Sequence, residues 1–495
     1  MKRFLLGMMI IIAVLLLVVA MRTAIHQPVM HQPAKVQPPT SQTAIPAIIP
    51  LNESLLALRL SQAIQFKTVS FQSNELKQPA EFSGFIDWVR STYPLVNQQL
   101  EYTQLNESML YRWVGSDESL QPILVTGHYD VVPVIPGSED IWEHPPFAGV
   151  IDNGVIWGRG ALDDKSGVLG ILEAVTYLLE SGHKPARTVY LSFGHDEEIG
   201  GSEGAGAIVS YLEGQGVQLA WSLDEGSFVF DGIIPGLDSL AAMINVAEKG
   251  SVTLDIIATA EGGHSSMPPR NNAVVDLAQA ITKLSDNPLP GGLEGIASTM
   301  FDNISRHMSW VNRALFANQW LFGPLIESQL SNVATTNAML RTTTAPTMLA
   351  GSVKTNVLPI EAVATVNFRI HPRDSVDSVE AYVSDLVGSD SIRVHSRGGA
   401  NASAVSDWNA PGFRLIGQSM REVYGDIAVT PGLMIAASDS RHYGKVSDNA
   451  YRFNPFRLTP DLLTGFHGTN EKISVVDYAQ GVRGYIGIIR HGTTN

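Results

Sequence analysis

The chain has 495 residues, 44% of them hydrophobic and 16% charged, with a formal net charge of −15. That acidity excludes nucleic acid as a partner, because such binding needs a basic footprint. The absence of cysteine excludes disulfides and thiolate-held metals, while the length supports more than one packed core.

Lys2 and Arg3 precede an apolar run from Phe4 to Met21, which Arg22 closes. A membrane span needs roughly 17–25 residues, and the run meets that. It also fits a signal-peptide core, with Val18-Val19-Ala20 as the cleavage site, although the uncleaved anchor is the favoured reading. Positive residues ahead of the run place the rest of the chain on the non-cytoplasmic side, periplasmic or extracellular. The protein is then membrane-anchored if residues 1–22 are retained and secreted if they are removed. Residues 23–50 carry Pro28, Pro33, Pro38, Pro39, Pro46 and Pro50 and read as an extended tether.

Ser54–Ile64 and Glu81–Tyr93 have helical spacing, and Leu110–Val114 reads as a strand. Pro122–Thr126 is a short apolar run that suits a buried strand. It leads into Gly127-His128-Tyr129-Asp130. Residues two apart on a strand share a face, so one of His128 and Asp130 can bind a metal while the other orients it. By itself the pair also fits an ordinary surface contact. Trp157–Gly167 is a strand-to-helix turn, with Gly158 and Gly160 ahead of Asp163 and Asp164, and Val168–Glu180 reads as the helix. Aspartates at such a turn also serve as plain helix caps.

Thr188–Gly194 is a second buried-strand pattern and ends in His195-Asp196-Glu197-Glu198. Trp221–Leu223 runs into Asp224-Glu225-Gly226. Each cluster taken singly is a solvated acidic face. If they converge, two carboxylates about 4 Å apart repel by ~4 kcal/mol at an effective dielectric of about 20. Such a site recruits cations, and two divalent ions would balance three ligand carboxylates plus a hydroxide. His128 and a later histidine, His467 in Gly465–Gly468, supply neutral nitrogens. Nitrogen and oxygen ligation without thiolate suits zinc, with cobalt or manganese as substitutes. A final helix is expected over Ser474–Ile489.

Between these segments, strands are expected over Ser251–Ala260, Ala362–Ile370 and Ser391–His395, with helices over Asn272–Leu284 and Val376–Val387. That order suits a small α/β sandwich. Ile304–Leu321 has helical character, with Trp310, Phe316 and Trp320 as an apolar stripe. The stripe fits core packing, a partner contact, or a wall for an apolar substrate tail.

With these segments in view, the chain resembles the M20 metallopeptidases, in the branch of carboxypeptidase S and the N-fatty-acyl-amino-acid hydrolases. The matching motifs are GHYDVVPV (127–134), WGRGALDDKSGV (157–168), GHDEEIGG (194–201), DEG (224–226), EKGSVTLDI (248–256), GGHSSMPP (262–269), SDSRHYG (438–444) and FHGTNEKIS (466–474). They cover about residues 50–490 in order. The resemblance implies an α/β fold: a zinc-exopeptidase-like catalytic domain (51–246 and 398–495) with a mixed, mostly parallel central sheet. Inserted in it at 247–397 would be an α/β-sandwich lid of the dimerisation type.

The resemblance also implies roles. His128 and Asp224 hold one metal, Glu198 and His467 the other, and Asp163 bridges both, giving two Zn2+ per chain. Glu197 is the general base, and Asp130 orients His128. The bond between Asp163 and Asp164 is cis. His264 stabilises the oxyanion, often from a partner subunit; the lid permits a homodimer, while the long insertion between Pro288 and Pro346 could instead cover that surface, so the oligomeric state stays open. Asn356, Arg369 and Arg441 contact substrate, Arg441 by gripping its carboxylate with a planar, always charged fork. The implied reaction is hydrolysis of an amide next to a free amino-acid carboxylate, in a short peptide or an N-acyl amino acid. The alternative is a non-catalytic, membrane-tethered binding or scaffold protein. Loss of the base or a bridging ligand would mark it, and Glu197, Asp163 and the other ligand positions are all present. Asn52, Asn106, Asn303 and Asn401 begin glycosylation sequons.

Overall fold

The structure is a computed structural model that describes residues 2–28 and 49–494. Most of the expected Pro-rich tether, from 29 to 48, lies outside the described residues. Helix Lys2–Ile25 is apolar all round, exposed over most of its length with Thr23 buried in its last turn, and long enough to cross a membrane. Arg22 sits in its last turn.

The larger sheet has ten strands. Its centre is Val189–Gly194, Ile123–His128 and Trp221–Asp224, which run parallel, with Ala450–Arg452 parallel beyond them. These central strands are short and buried along their length, as the apolar runs required. The flanking pairs Glu101–Leu105/Ser108–Trp113 and Ser108–Trp113/Val189–Gly194 are antiparallel. On the far side Ala241–Glu248 pairs in parallel with Ala428–Met434. The sheet is therefore mixed and largely parallel. Helices Glu53–Ile64, Lys165–Glu180 and Val475–Gly492 pack together in its main core, which includes Leu60, Leu169, Leu172, Val482 and Ile486. Val475–Gly492 begins where Ser474 caps the backbone N–H of Asp477 with its hydroxyl.

A separate antiparallel sheet has the order Thr343–Ala350, Glu361–Ile370, Gly250–Thr259, Ile392–Ala400. Helices Ala273–Asp286 and Val376–Val387 cover one face, and Leu254, Ile256, Leu277, Val366, Phe368 and Val383 fill the space between. Asn272 and Ser375 cap these helices through their side chains.

The segment between Pro288 and Pro346 differs from a single helical stripe. It forms helices Gly295–Ser305, Trp310–Ala317, Gln319–Ser331 and Ala334–Leu340. The chain breaks at Asn318, whose side-chain amide turns back to donate to the carbonyl of Ala314 at 2.8 Å. Met300, Phe301 and Ile304 pack on Ala241, Met243 and Ala428, so this segment returns to the large sheet. The expected stripe divides accordingly. Phe316 stacks on Phe301 with ring centroids 5.3 Å apart, whereas Trp310 and Trp320 are 55% and 53% exposed.

Candidate metal centre

Three parallel strands deliver their last residues to one edge of the large sheet, the position where open α/β sheets place their sites. Ile123–His128 ends in His128, Val189–Gly194 leads directly to Glu197 and Glu198, and Trp221–Asp224 ends in Asp224. Asp163 arrives from the loop ahead of helix Lys165–Glu180, and the Asp163–Asp164 bond is cis. His467 arrives from the loop that precedes the last helix and adopts a positive φ of 52°.

His128, His467 and Glu198 meet around Asp163, with Asp224 buried at the end of the neighbouring strand. His128 Nε2 lies 3.1 Å from Asp163 Oδ1, and His467 Nε2 lies 3.2 Å from Asp163 Oδ2. His467 Nε2 is also 3.3 Å from Glu198 Oε2, and Glu197 Oε2 is 4.0 Å from His128 Nε2. Asp130 is fully buried beneath them. Its carboxylate lies 3.3 Å from His128 Nδ1 and accepts the backbone N–H groups of Glu197 and Glu198, each at 3.2 Å, and the Ser70 hydroxyl at 2.7 Å. His128 Nδ1 also lies 3.1 Å from the backbone carbonyl of Asp130, so this one residue fixes both the ring of His128 and the loop that carries the two glutamates. An Nδ1–H shared with Asp130 leaves the Nε2 lone pair free for a cation.

The electrostatics are strained toward cation binding. Burial opposes ionisation of Asp163, but hydrogen bonds from His128 and His467 outweigh it and hold that carboxyl below the usual range. Hydrogen bonds to Asp163 and Glu198 push His467 up to about 10. Burial, then the charge of Asp163, lifts Glu198 to about 7, and burial lifts Asp224 to about 6. Burial also carries Glu197 well above its normal value. Glu198 Oε1 and Asp224 Oδ2 are buried oxygens without a hydrogen-bond partner. His128, Asp163 and Glu198 each offer one ligand atom within 4.8 Å of the others. Orphaned carboxylate oxygens beside imidazole nitrogens fit a divalent cation of borderline character, which would take the place of the protons the imidazoles hold among these carboxylates.

The remaining candidates stand apart. Arg441 is exposed, and its Nη2 donates to the carbonyl of Gly200 at 3.1 Å, on the loop after Glu198. His264 lies on the short antiparallel strand pair Gly263–His264/Val357–Leu358 with its Nδ1 2.7 Å from the Ser266 hydroxyl. The neighbouring Ser265 N–H donates to the carbonyl of Asn356 at 3.2 Å, so His264 and Asn356 share one exposed corner. Arg369 sits on the small sheet opposite Ser251 and Thr343. Among the described residues, the contacts of these three do not join the carboxylate cluster.

Several buried groups at the site carried no sequence signal of their own. Glu471 Oε1 accepts the backbone N–H groups of Gly160, Leu162 and Asp163 at 3.0, 2.8 and 3.1 Å. Its Oε2 accepts Arg159 Nη1 at 2.7 Å, and Arg159 Nη2 donates to the carbonyl of Gly468 at 2.8 Å. This clasp ties the Asp163 loop to the His467 loop. Asp164 Oδ1 accepts Asn454 Nδ2 at 3.0 Å, and Asn454 Oδ1 accepts the Tyr485 hydroxyl at 2.7 Å. Gly127 admits that aspartate: a Cβ there would stand 2.5 Å from Asp164 Oδ2. Asp439 is buried behind Gly201, and burial and then Asp224 raise its carboxyl. Arg159, Glu471 and Asp439 all lie inside the sequence motifs, but burial of a charge cannot be read from its type.

Comparison with known proteins agrees with this geometry. The family model for peptidase family M20/M25/M40 matches residues 124–491. The chain is 40% identical over 447 residues to the probable carboxypeptidase S-like 2 of Dictyostelium discoideum, covering 89% of this chain and 86% of that one. It is 38% identical over 443 residues to the N-fatty-acyl-amino acid synthase/hydrolase PM20D1 of Mus musculus, covering 88% and 87%. Among solved structures, the M20 family metallo-carboxypeptidase Sso-CP2 from Sulfolobus solfataricus superimposes with a TM-score of 0.61 at 17% identity, over 89% of this chain and 99% of the other.

Proposed function

The chain belongs to peptidase family M20/M25/M40 and is a metal-dependent amide hydrolase, and on that premise we propose that it cleaves an amide bond next to a free amino-acid carboxylate. The substrate is a short peptide with a free C-terminus or an N-acyl amino acid. Relatives named for carboxypeptidase and for N-fatty-acyl-amino acid hydrolase activity support both classes. The catalytic domain comprises 51–246 and 398–495, with 247–397 inserted as the lid. Helix Lys2–Ile25 serves as an uncleaved anchor that holds the hydrolase on the non-cytoplasmic side.

The observation that carries this reading is Asp163 flanked on both oxygens by imidazoles from distant loops, at 3.1 and 3.2 Å. In this reading His128 and Asp224 would hold one zinc ion, Glu198 and His467 a second, and Asp163 would serve both, with cobalt or manganese as substitutes. Bound there, the ions supply Lewis acidity, which makes a water more acidic and polarises the scissile carbonyl. Glu197 takes the proton of the attacking water and later returns it to the leaving amine. Its burial suits that work, because a carboxyl with a raised pKa binds a proton readily. Asp130 keeps His128 oriented through Nδ1. Arg441, beside the Glu197 loop, grips the substrate carboxylate. His264, with Asn356 and Arg369, meets the substrate from the lid. That requires closure of the lid or delivery of His264 by a partner subunit. A homodimer formed along the exposed edge strand Thr343–Ala350 would supply it.

Glu197→Gln tests the assignment. It should retain two equivalents of zinc and lower kcat by about 10²–10⁴, the usual worth of a general base. Full turnover in that variant would overturn it. A panel of N-acyl amino acids and dipeptides compared by kcat/KM then separates the two substrate classes.

A further inference from the structure

Helices Trp310–Ala317 and Gln319–Ser331 leave an apolar surface uncovered. Trp310, Val311, Trp320 and Leu325 are 55%, 64%, 53% and 53% exposed, and Ile326 alone is buried within Gln319–Ser331. A surface of this kind marks contact with another protein or with a membrane. Its position decides between them. These helices meet the last turn of the apolar helix Lys2–Ile25. Arg22 Nε donates to the carbonyl of Ala317 at 3.1 Å, and Asn318 Nδ2 donates to the carbonyl of Val19 and to Thr23 Oγ1, both at 3.4 Å. Trp320 Nε1 donates to Oδ1 of the same Asn318 at 3.3 Å. Trp320 therefore stands level with Val19–Thr23, where the apolar run gives way to charge. Tryptophan favours that level in a bilayer, with its ring among acyl chains and its N–H at the polar boundary. Just past it, Arg306 and Arg313 bind the backbone carbonyl and the side chain of Gln27 at 3.3 and 2.8 Å. Cations so placed lie at the depth of lipid phosphates.

We propose that helices Trp310–Ala317 and Gln319–Ser331 rest in the surface of the same bilayer that helix Lys2–Ile25 spans. The inference builds on the anchor reading and adds to it a second, interfacial contact from the globular part of the chain. A single span leaves the body free to swivel. A platform beside it fixes the tilt and holds the metal centre at a set height above the lipid. A substrate carrying an apolar acyl group, concentrated in that lipid, would then be met at the bilayer surface.

The chain contains no cysteine, so one introduced thiol carries one label. The full chain, reconstituted in phosphatidylcholine vesicles with spin-labelled acyl chains, would carry an environment-sensitive fluorophore at Val311→Cys or Leu325→Cys. Leu16→Cys in the apolar helix and Val353→Cys, at a fully exposed position, are the references. Labels at 311 and 325 should shift to the blue and be quenched by the acyl-chain spins, as at 16, while the label at 353 stays unquenched. If 16 is quenched and 311 and 325 behave as 353 does, the platform is refuted and the anchor stands. If 16 is also unquenched, the anchor reading fails as well. If 311 and 325 shift only as protein density in the vesicles rises, a second copy covers this face and the proposal is overturned.

Discussion

Replacing Glu471 by glutamine should damage both folding and metal binding, although Glu471 is no ligand. The carboxylate is fully buried and divides its work. One oxygen accepts three backbone N–H groups around Asp163, and the other accepts Arg159. A glutamine amide has one acceptor. If its oxygen faces the three N–H groups, its NH2 faces a guanidinium, donor against donor, and Arg159 is left charged, 1% exposed and without its carboxylate. Removing one partner from a buried ion pair costs about 3–5 kcal/mol. Groups that orient metal ligands from behind are typically worth about 10–100-fold in metal affinity. Denaturant unfolding should therefore show Glu471→Gln less stable by ~3–5 kcal/mol, and zinc titration calorimetry should show a weakened site. The double variant Glu471→Gln with Arg159→Met removes the stranded charge and should be more stable than Glu471→Gln alone. Glu53→Gln, which loses the more exposed partner of Arg483, should cost less than about 1 kcal/mol. If Glu471→Gln unfolds within about 1 kcal/mol of the parent and binds zinc unchanged, the clasp has no such role.

Other parts of the structure give further expected outcomes. Burial, then Arg373 and Lys249, lowers His371 from 6.5 to about 4, and its Nδ1 accepts the Arg373 N–H, which demands a neutral ring. The native state then binds fewer protons than the unfolded chain between these values. Stability should be complete above about pH 6.5 and fall as the pH drops towards 4, by at most about 3 kcal/mol; His371→Asn should flatten that part of a pH–stability curve, and an unchanged slope would count against it. Lys249 Nζ donates to the carbonyls of Ala338 and Arg341 at 3.0 and 2.9 Å, at the start of the small sheet. Lys249→Met leaves both without that donor and should cost about 1–3 kcal/mol in an unfolding titration; a neutral result would mean that water replaces the ammonium. Chelation should lower Tm, and restored zinc at about 100-fold above Kd should return ~2.7 kcal/mol; a Tm indifferent to zinc would contradict the metal centre.

The metal-centre candidates were legible because each comes after an apolar strand or a glycine turn. His128, the Glu197-Glu198 pair and Asp224 stand at the carboxyl ends of parallel strands, and a parallel register brings such ends to one edge. The main helices were legible from apolar spacing, with shifts of a few residues at their ends. The clasp was not legible. Arg159 and Glu471 are 312 positions apart, and a charged residue gives no local sign that it will be buried. The stripe of Trp310, Phe316 and Trp320 divides for a related reason. A single helix would hold the three on one surface, but the break at Asn318 sends Phe316 inward against Phe301 and the tryptophans outward.

The clasp also bears on when activity can begin. The segments bearing His128, Glu197 and Asp224 are complete by residue 224, whereas His467, Glu471 and the helix Val475–Gly492 are made long afterwards. Until those late segments emerge from the ribosome, Asp163 lacks one of its imidazoles and its loop lacks the buckle that shapes it. On the proposed assignment the metal centre is therefore the last part of the chain to be assembled, when the final helix packs against the helix Lys165–Glu180.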